Sequence, residues 1–386
     1  MSAVTPGRIR SWLVDKHLPL WRGAGMDRTH GGFYERLDSQ GRPLDLRYKR
    51  TMVQCRQIFV HAHAASLRLP GADLAPVRHG LAFLMDRCRN CETGAWAFKV
   101  TPAGEPLDRT IDTYSLAFVL FGLAHAGRVL GDKAALAEAG QLLGTMDRHL
   151  ALAHGGYHAV AEPDWTRRPD LNRQNPNMHL TEAFLALFEA TGNALYRNRA
   201  VVLVDLLVHR LFDGASGTLG EYFDGDWRPD IATGHRVEPG HHFEWCWLLH
   251  CFARIFERPD VLAIADALFA HADHQGVDRT RGGVYDEIDR SGRVLVDSKR
   301  IWPLTEYIKA LAARLESGGA RADRAALDRA LGWIFEHYLL PDGRWREHLA
   351  ADLSVTNDQM PGSTSYHIVL ALTEAAHALD PDWARG

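Results

Sequence analysis

Apolar residues recur at helical spacing in long blocks along this chain, and short glycine-rich stretches interrupt the blocks at a steady interval. After the second interruption Tyr114, Ala117, Phe118 and Phe121 share a helical face, and after the fifth Ile308, Leu311 and Leu315 do. The spacing predicts helices over 8–22, 50–67, 75–89, 110–129, 133–150, 178–190, 196–212, 241–256, 259–274, 301–315, 321–339 and 363–378. The interruptions repeat one phrase, a glycine or small pair, an apolar residue and a turn. It reads Gly31-Gly32-Phe33-Tyr34, Gly94-Ala95-Trp96-Ala97, Gly155-Gly156-Tyr157-His158, Gly217-Thr218-Leu219-Gly220, Gly282-Gly283-Val284-Tyr285 and Asp342-Gly343-Arg344-Trp345. Its starts lie about 60 residues apart, which suits one supersecondary unit per repeat, with a small β-hairpin or loop at each phrase. One helix, five pairs and one helix make six hairpins once the first and last helices pair. The expectation is an all-α, (α/α)6 barrel forming a single domain over 1–386. An open superhelix of helix pairs is the alternative, but it calls for polar capping ends, and the last helix carries Ile368, Val369, Leu370 and Leu372.

Composition narrows the classes. With 386 residues, 46% of them hydrophobic, the chain can bury a large core. A net charge of -4 and scattered basic residues argue against a nucleic-acid partner. No apolar run stands out as long enough to span a bilayer, so no membrane partner is expected. The stretch from Met1 to Trp21 is interrupted by Arg8, Arg10, Asp15 and Lys16 and does not read as a signal peptide; the expected location is the cytoplasm. A homo-oligomer is left open. Of five cysteines, Cys88 and Cys91 form a CxxC without a second ligand pair at metal spacing, so ordinary buried thiols are expected. His61 and His63, two apart on a helix, face different ways, and no HExxH occurs, so no metal is expected.

The chemistry gathers where each helix after a loop phrase begins. These starts supply Arg56; Asp112 and Tyr114; Asn175, Asn177, His179 and Glu182; His241 and Glu244; Trp302 and Glu306; Tyr366 and His367. Helices running the same way around a barrel bring those ends to one mouth, where helix N-termini add positive potential. Taken singly, each residue has a structural reading: a core histidine, an ion-paired arginine, a packed tryptophan. Six placements at one repeat position favour a site. Histidines suit proton abstraction and return, an arginine can hold a developing oxyanion, and an aromatic platform suits a sugar ring. On Pro239-Gly240-His241-His242-Phe243-Glu244, the spacing of three lets Glu244 reach His241. No serine elbow, phosphate loop or dinucleotide fingerprint is present, and no cofactor is expected.

At these residues the chain resembles the N-acylglucosamine 2-epimerase superfamily of sugar 2-epimerases and aldose–ketose isomerases. The resemblance rests on Gln54-Cys55-Arg56-Gln57, Asp112-x-Tyr114 with Ala117-Phe118, Asn175-Pro-Asn177-Met178-His179-Leu-x-Glu182-Ala183, Pro239-Gly240-His241 with Glu244, Trp302 with Glu306, and Tyr366-His367. It implies an (α/α)6 barrel acting on a monosaccharide through a cis-enediol. It implies that His179 or His241 opens the ring, that His241 and His367 are the acid/base pair with Glu244 orienting His241, and that Arg56 holds the oxygens at C1 or C2. Tyr114, Asn175 and Trp302, with Glu306 and Asp112, would bind the sugar. Cellobiose 2-epimerases carry a tryptophan before the last histidine, where this chain reads Pro361-Gly362-Ser363-Thr364-Ser365-Tyr366-His367. N-acylglucosamine epimerases follow that histidine with Pro-Arg, where this chain has Ile368-Val369. The pattern resembles the D-mannose isomerase branch, which implies interconversion of D-mannose and D-fructose, or related free sugars such as lyxose and xylulose. A mannose/glucose or N-acylglucosamine 2-epimerase is the alternative. Phosphosugars are disfavoured because no arginine cluster is obvious, though Arg173 and Arg300 lie near. An inverting glycoside hydrolase using Glu244 and Glu306 is the rival from outside, and a non-catalytic helical scaffold the third reading.

Overall fold

The computed structural model describes residues 4–90, 92–319 and 321–385. Six helices form an inner ring: Thr51–Ser66, Thr113–Leu130, Gln174–Thr191, Pro239–Phe256, Ile301–Glu316 and Gly362–Leu379. Each packs on the next and the last packs on the first. They are buried nearly all round, which explains why their sequences read as apolar blocks rather than narrow stripes. The outer layer is built from Pro6–Trp12 running on through Leu18–Gly23, then Ala75–Phe83, Lys133–His149, Ala194–Leu206, Leu262–His271 and Arg321–Trp333. All of these except Lys133–His149 pass through a five-residue π-turn, a feature the spacing of apolar residues does not announce. The ring is closed, so the open superhelix is excluded: the first helix rests on the last.

The loop phrases fold alike. Each forms an antiparallel bridge across its turn: Met26 with Phe33, Arg89 with Trp96, Ala151 with Tyr157, Phe212 with Leu219, Val277 with Val284, and Leu339 with Trp345. A short strand leads into each inner helix and pairs with a strand of the following repeat. Lys49–Arg50 pairs with Lys99–Val100, Ile111–Asp112 with Val160–Ala161, and Asn172–Arg173 with Tyr222–Phe223. Arg236–Val237 pairs with Glu287–Asp289 and Lys299–Arg300 with His348–Leu349, before Met360–Pro361 returns to Arg36–Leu37. These pairings fix the N-terminal ends of all six inner helices around one mouth.

An inner-helix side chain pins several phrases from below. Gln54 Oε1 accepts from Phe33 N–H at 2.7 Å, Asn177 Oδ1 from Tyr157 N–H at 2.8 Å, and His242 Nε2 from Leu219 N–H at 3.1 Å. The glycine before each amide-pinned residue has a steric reason: a Cβ on Gly32 would lie 2.5 Å from Gln54 Oε1, and one on Gly156 3.1 Å from Asn177 Oδ1. Two sequence expectations change here, and a third falls partly outside the described residues. The third inner helix begins at Gln174, not at 178, because Pro176 sits in the first turn, where its missing N–H costs nothing. One apolar stretch, Thr113–Leu130, is long and apolar enough to cross a membrane by length and composition; 78% of it is buried inside the barrel. Cys91 lies outside the described residues, while Cys55, Cys88 and Cys246 are buried free thiols.

Candidate active site

The mouth leads into a cavity of about 360 Å³ lined by Arg56, Tyr114, Asn175, His179, Glu238, His241, Glu244, Arg300, Trp302, Glu347, Thr364 and His367, among others. A second cavity of about 250 Å³ shares Tyr114, Asn175 and Glu238 and adds Arg50, Asp112, Arg173 and Tyr222. Most of the side chains expected at the mouth therefore meet at one place. Trp302 lies between two histidines, its ring 5.1 Å from that of His241 and 5.8 Å from that of His367. Arg56 is held by the Tyr114 hydroxyl at 2.7 Å and the Ser363 carbonyl at 3.3 Å, and stacks 4.0 Å over Phe118. The buried Oδ1 of Asn175 has no hydrogen-bond partner among the described residues, an unfilled acceptor beside the cavity.

Five expected residues serve elsewhere, the buried Glu182 beside His179 among them. Asp112 caps the helix Thr113–Leu130 through Ser115 N–H at 2.7 Å and lines only the second cavity. Asn177 points outward to the loop it pins, because residues two apart on a helix face different ways. Glu306 is fully buried beneath His367, so it does not meet the sugar as a binding residue would. Tyr366 is also buried, its hydroxyl donating to Glu182.

The largest departure concerns His241. Its Nδ1 lies 2.9 Å from Glu221 Oε2, and Glu244 is not its hydrogen-bond partner. Glu244 instead lies 3.8 Å from His179 Nδ1, which Glu182 also approaches at 3.3 Å. Glu221 comes from the fourth loop, 20 positions before His241, and also accepts from Gln174 at 2.9 Å. A signal for it exists in the repeat. Two residues beyond the bridged position stand Glu35, Glu221, Asp286 and Glu347, all buried. Glu35 and Asp286 hold Arg50 and Arg300 at their helix starts, at 2.5 and 2.9 Å. Glu347 accepts from Trp345 Nε1 at 2.7 Å and Thr364 Oγ1 at 2.9 Å.

The electrostatics separate the histidines. Burial alone would lower His241, but the carboxylates of Glu221 and Glu238 outweigh it and raise its pKa to about 9. His367 is held well below the ordinary imidazole range, by burial first and then by Arg56 and Lys309. Its Nδ1 meets Glu306 Oε1 at 2.7 Å. Burial pushes the Glu347 carboxyl up to about 7, against its two hydrogen bonds. Three groupings bring a histidine and two carboxylates within 4.8 Å of one another: His179, Glu182 and Glu244; Glu221, Glu238 and His241; and Glu244, Glu306 and His367. The chain's own cations already face these carboxylates, since Lys309 pairs with Glu306 at 2.6 Å and Arg300 with Glu238 at 3.1 Å. The site can thus take a proton at one nitrogen and give one at another, around a polar pocket of sugar size.

Comparison with known proteins agrees. The N-acylglucosamine 2-epimerase (GlcNAc 2-epimerase) family profile matches residues 32–371. A mannose-6-phosphate isomerase of Rhizobium meliloti (strain 1021) is 33% identical over 383 residues, 97% of each chain. A D-mannose isomerase of Thermobifida fusca is 33% identical over 306 residues, covering 75% of this chain and 74% of its own. The structure of cellobiose 2-epimerase from Bacillus thermoamylovorans B4167 superposes with a TM-score of 0.89 at 20% identity, over 96% of this chain and 98% of that one. The chain belongs to the N-acylglucosamine 2-epimerase family and is a sugar isomerase or epimerase.

Proposed function

Starting from that membership, we propose that this enzyme interconverts D-mannose and D-fructose, as an aldose–ketose isomerase working on the free sugar through a cis-enediol. The observation that carries the reading is the unlike surroundings of the two histidines beside Trp302: Glu221 and Glu238 face His241, whereas Lys309 and Arg56 stand behind the Glu306 partner of His367. His241, raised to about 9, rests as imidazolium; His367, held low, rests as a neutral base. A reversible 2-epimerase draws on both histidines as carbon bases in turn, and only about 1% of a group with pKa 9 is neutral at pH 7. The asymmetry better suits one histidine that handles carbon-bound protons in both directions and one that serves oxygen.

His179 assists opening of the pyranose ring. The open aldose lies on Trp302 with its C1 and C2 oxygens toward Arg56 and its hydroxyls toward Asn175 and Tyr114. His367 takes the C2 proton through Nε2, the nitrogen left when Glu306 holds Nδ1. The C–H electron pair forms C1=C2 as O1 takes a proton from His241, giving the enediol. The O2 proton then returns to His241, C2=O forms, and His367 delivers its proton to C1. The two relatives, a mannose-6-phosphate isomerase and a D-mannose isomerase, support aldose–ketose isomerisation of a mannose skeleton. The free sugar is favoured because Arg50, Arg173 and Arg300 at the mouth already hold Glu35, Asp170 and the Asp286–Glu238 pair.

A 2-epimerase is the second reading, favoured by the placement of His241 and His367 on either side of Trp302, from which opposite faces of C2 can be reached. An inverting hydrolase fits poorly: Glu244 and Glu306 bring oxygens within 4.8 Å of each other, whereas inversion needs carboxyl groups about 6.5–9.5 Å apart to admit water. The test is proton and carbon NMR of the enzyme with D-mannose in D2O, and in parallel with D-mannose 6-phosphate. Fructose appearing first, with deuterium at C1, is expected. Glucose appearing first, with deuterium at C2, transfers the assignment to 2-epimerase, and turnover of the phosphate ester alone overturns the free-sugar reading.

A further inference from the structure

A lysine lies under the site with no part in the steps above. Lys309 is fully buried, three residues along the helix from Glu306, and its ammonium lies 2.6 Å from Glu306 Oε2. The other oxygen of Glu306 is the one that meets His367 Nδ1 at 2.7 Å. The ammonium also sits 3.9 Å from the centre of the Trp247 ring and 5.8 Å from that of Tyr366. Glu244 links this group to a second one, since its oxygens belong both to the Glu244–Glu306–His367 grouping and to that of His179 and Glu182.

Three buried carboxylates cannot share such a space as anions without cations. Burial first, and then the neighbouring Glu244, push the Glu306 carboxyl well above the usual carboxylate range, and Lys309, 2.6 Å away, is the cation that opposes them. The ammonium is itself held in its charged form, against burial, by Glu306, Glu244 and Glu182. The groups facing His367 are Glu306 and Lys309 from one neighbouring helix, Arg56 from another, His179 and Glu182 from a third, His241 and Glu244 from a fourth, Tyr366 on its own helix, and Glu347 from the loop. Of these only Glu306 is hydrogen-bonded to its ring. Whether Glu306 is carboxylate or acid therefore decides which ring nitrogen carries the proton. A carboxylate can only accept, which fixes the proton on Nδ1 and leaves Nε2 bare. A carboxylic acid donates to Nδ1 and moves the ring proton to Nε2, where it blocks the base.

We propose that Lys309 is a positioning residue for His367: its ammonium keeps Glu306 a carboxylate, which holds the imidazole as the Nδ1–H tautomer and leaves Nε2 free toward the cavity. The role of that free nitrogen rests on the isomerase reading, whereas the tautomer does not.

The experiment is 15N NMR of histidine-labelled enzyme without substrate, with the His367 signal assigned by its loss in H367Q. Wild type is expected to show the Nδ1–H tautomer of His367 at neutral pH. Lys309→Met, close in volume and uncharged, is expected to lose it in favour of Nε2–H or of imidazolium. In the same variant kcat for D-mannose is expected to fall about 10- to 100-fold with KM changing little. A wild-type spectrum with Nε2–H overturns the proposal without any variant, and so does a folded Lys309→Met enzyme that keeps the Nδ1–H tautomer and an unshifted pH profile. If D-mannose proves not to be the substrate, the tautomer result still decides the role of Lys309.

Discussion

His241 and His367 stand on either side of one tryptophan, each with Nδ1 on a buried glutamate, yet their surroundings push their pKa values in opposite directions. The immediate partner does not explain the contrast, since both partners are glutamates at hydrogen-bond distance. The next layer does. Behind His241 lies a second carboxylate, Glu238, and the pair outweighs burial. Behind His367 lie Lys309 and the Arg56 guanidinium, and they add to burial. On the proposed mechanism, two equivalent-looking dyads thus become an acid and a base by what stands one residue further back.

The comparison breaks most completely when either ring is removed. Replacing His241 or His367 by Gln is expected to lower kcat at least about 10³-fold, with the double variant costing little more than either single one, measured as fructose formed from D-mannose. Glu221→Gln attacks what makes the two differ. His241 then loses the larger share of its raised pKa, so the fraction held as imidazolium shrinks from the alkaline side. The basic limb of kcat/KM, expected near pH 9 in wild type, should move down toward the ordinary imidazole value, with a loss of up to about 30-fold at pH 8. The sign is specific: activity that needs the imidazolium is lost as pH rises through the His241 pKa, and a lower pKa brings that loss to lower pH. Trp302→Leu leaves both charge states alone and removes the platform between them. It should raise KM about tenfold, equivalent to about 1–2 kcal/mol of binding, with a smaller change in kcat. Smallest in effect on turnover is Asn177→Ala, which unpins the third loop outside the cavity. It should lower unfolding free energy by about 1–3 kcal/mol in urea while leaving KM nearly unchanged.

Much of this arrangement is legible in the chain because it repeats. Six loop phrases and twelve helical blocks require six equivalent helix starts, and equivalence alone gathers Arg56, Tyr114, His179, His241, Trp302 and His367 at one mouth. What the pattern conceals is direction within a helix turn. Glu244 is three residues from His241 and could reach it, but its Oε1 lies 3.8 Å from His179 Nδ1 on another inner helix. Asn175 and Asn177 look alike as a pair, yet one faces the cavity and the other the loop. Glu221 is missed for a different reason: it lies at a bend just before the strand Tyr222–Phe223, and the fold of the loop, not helical spacing, brings it to His241. Aligning the loops two residues beyond their bridges would have found it, with Glu35, Asp286 and Glu347. Lys309 is visible too, as the one basic residue between Ile301 and Ala313, three past Glu306. The π-turns of the outer helices leave no mark in the apolar spacing.

The most direct test of the account is the protonation state of both histidines in one spectrum of the resting enzyme at pH 7, by 15N NMR with H241Q and H367Q as assignment controls. The account predicts a fully protonated His241 beside a neutral His367. Two neutral rings, two charged rings, or the reverse assignment would contradict it.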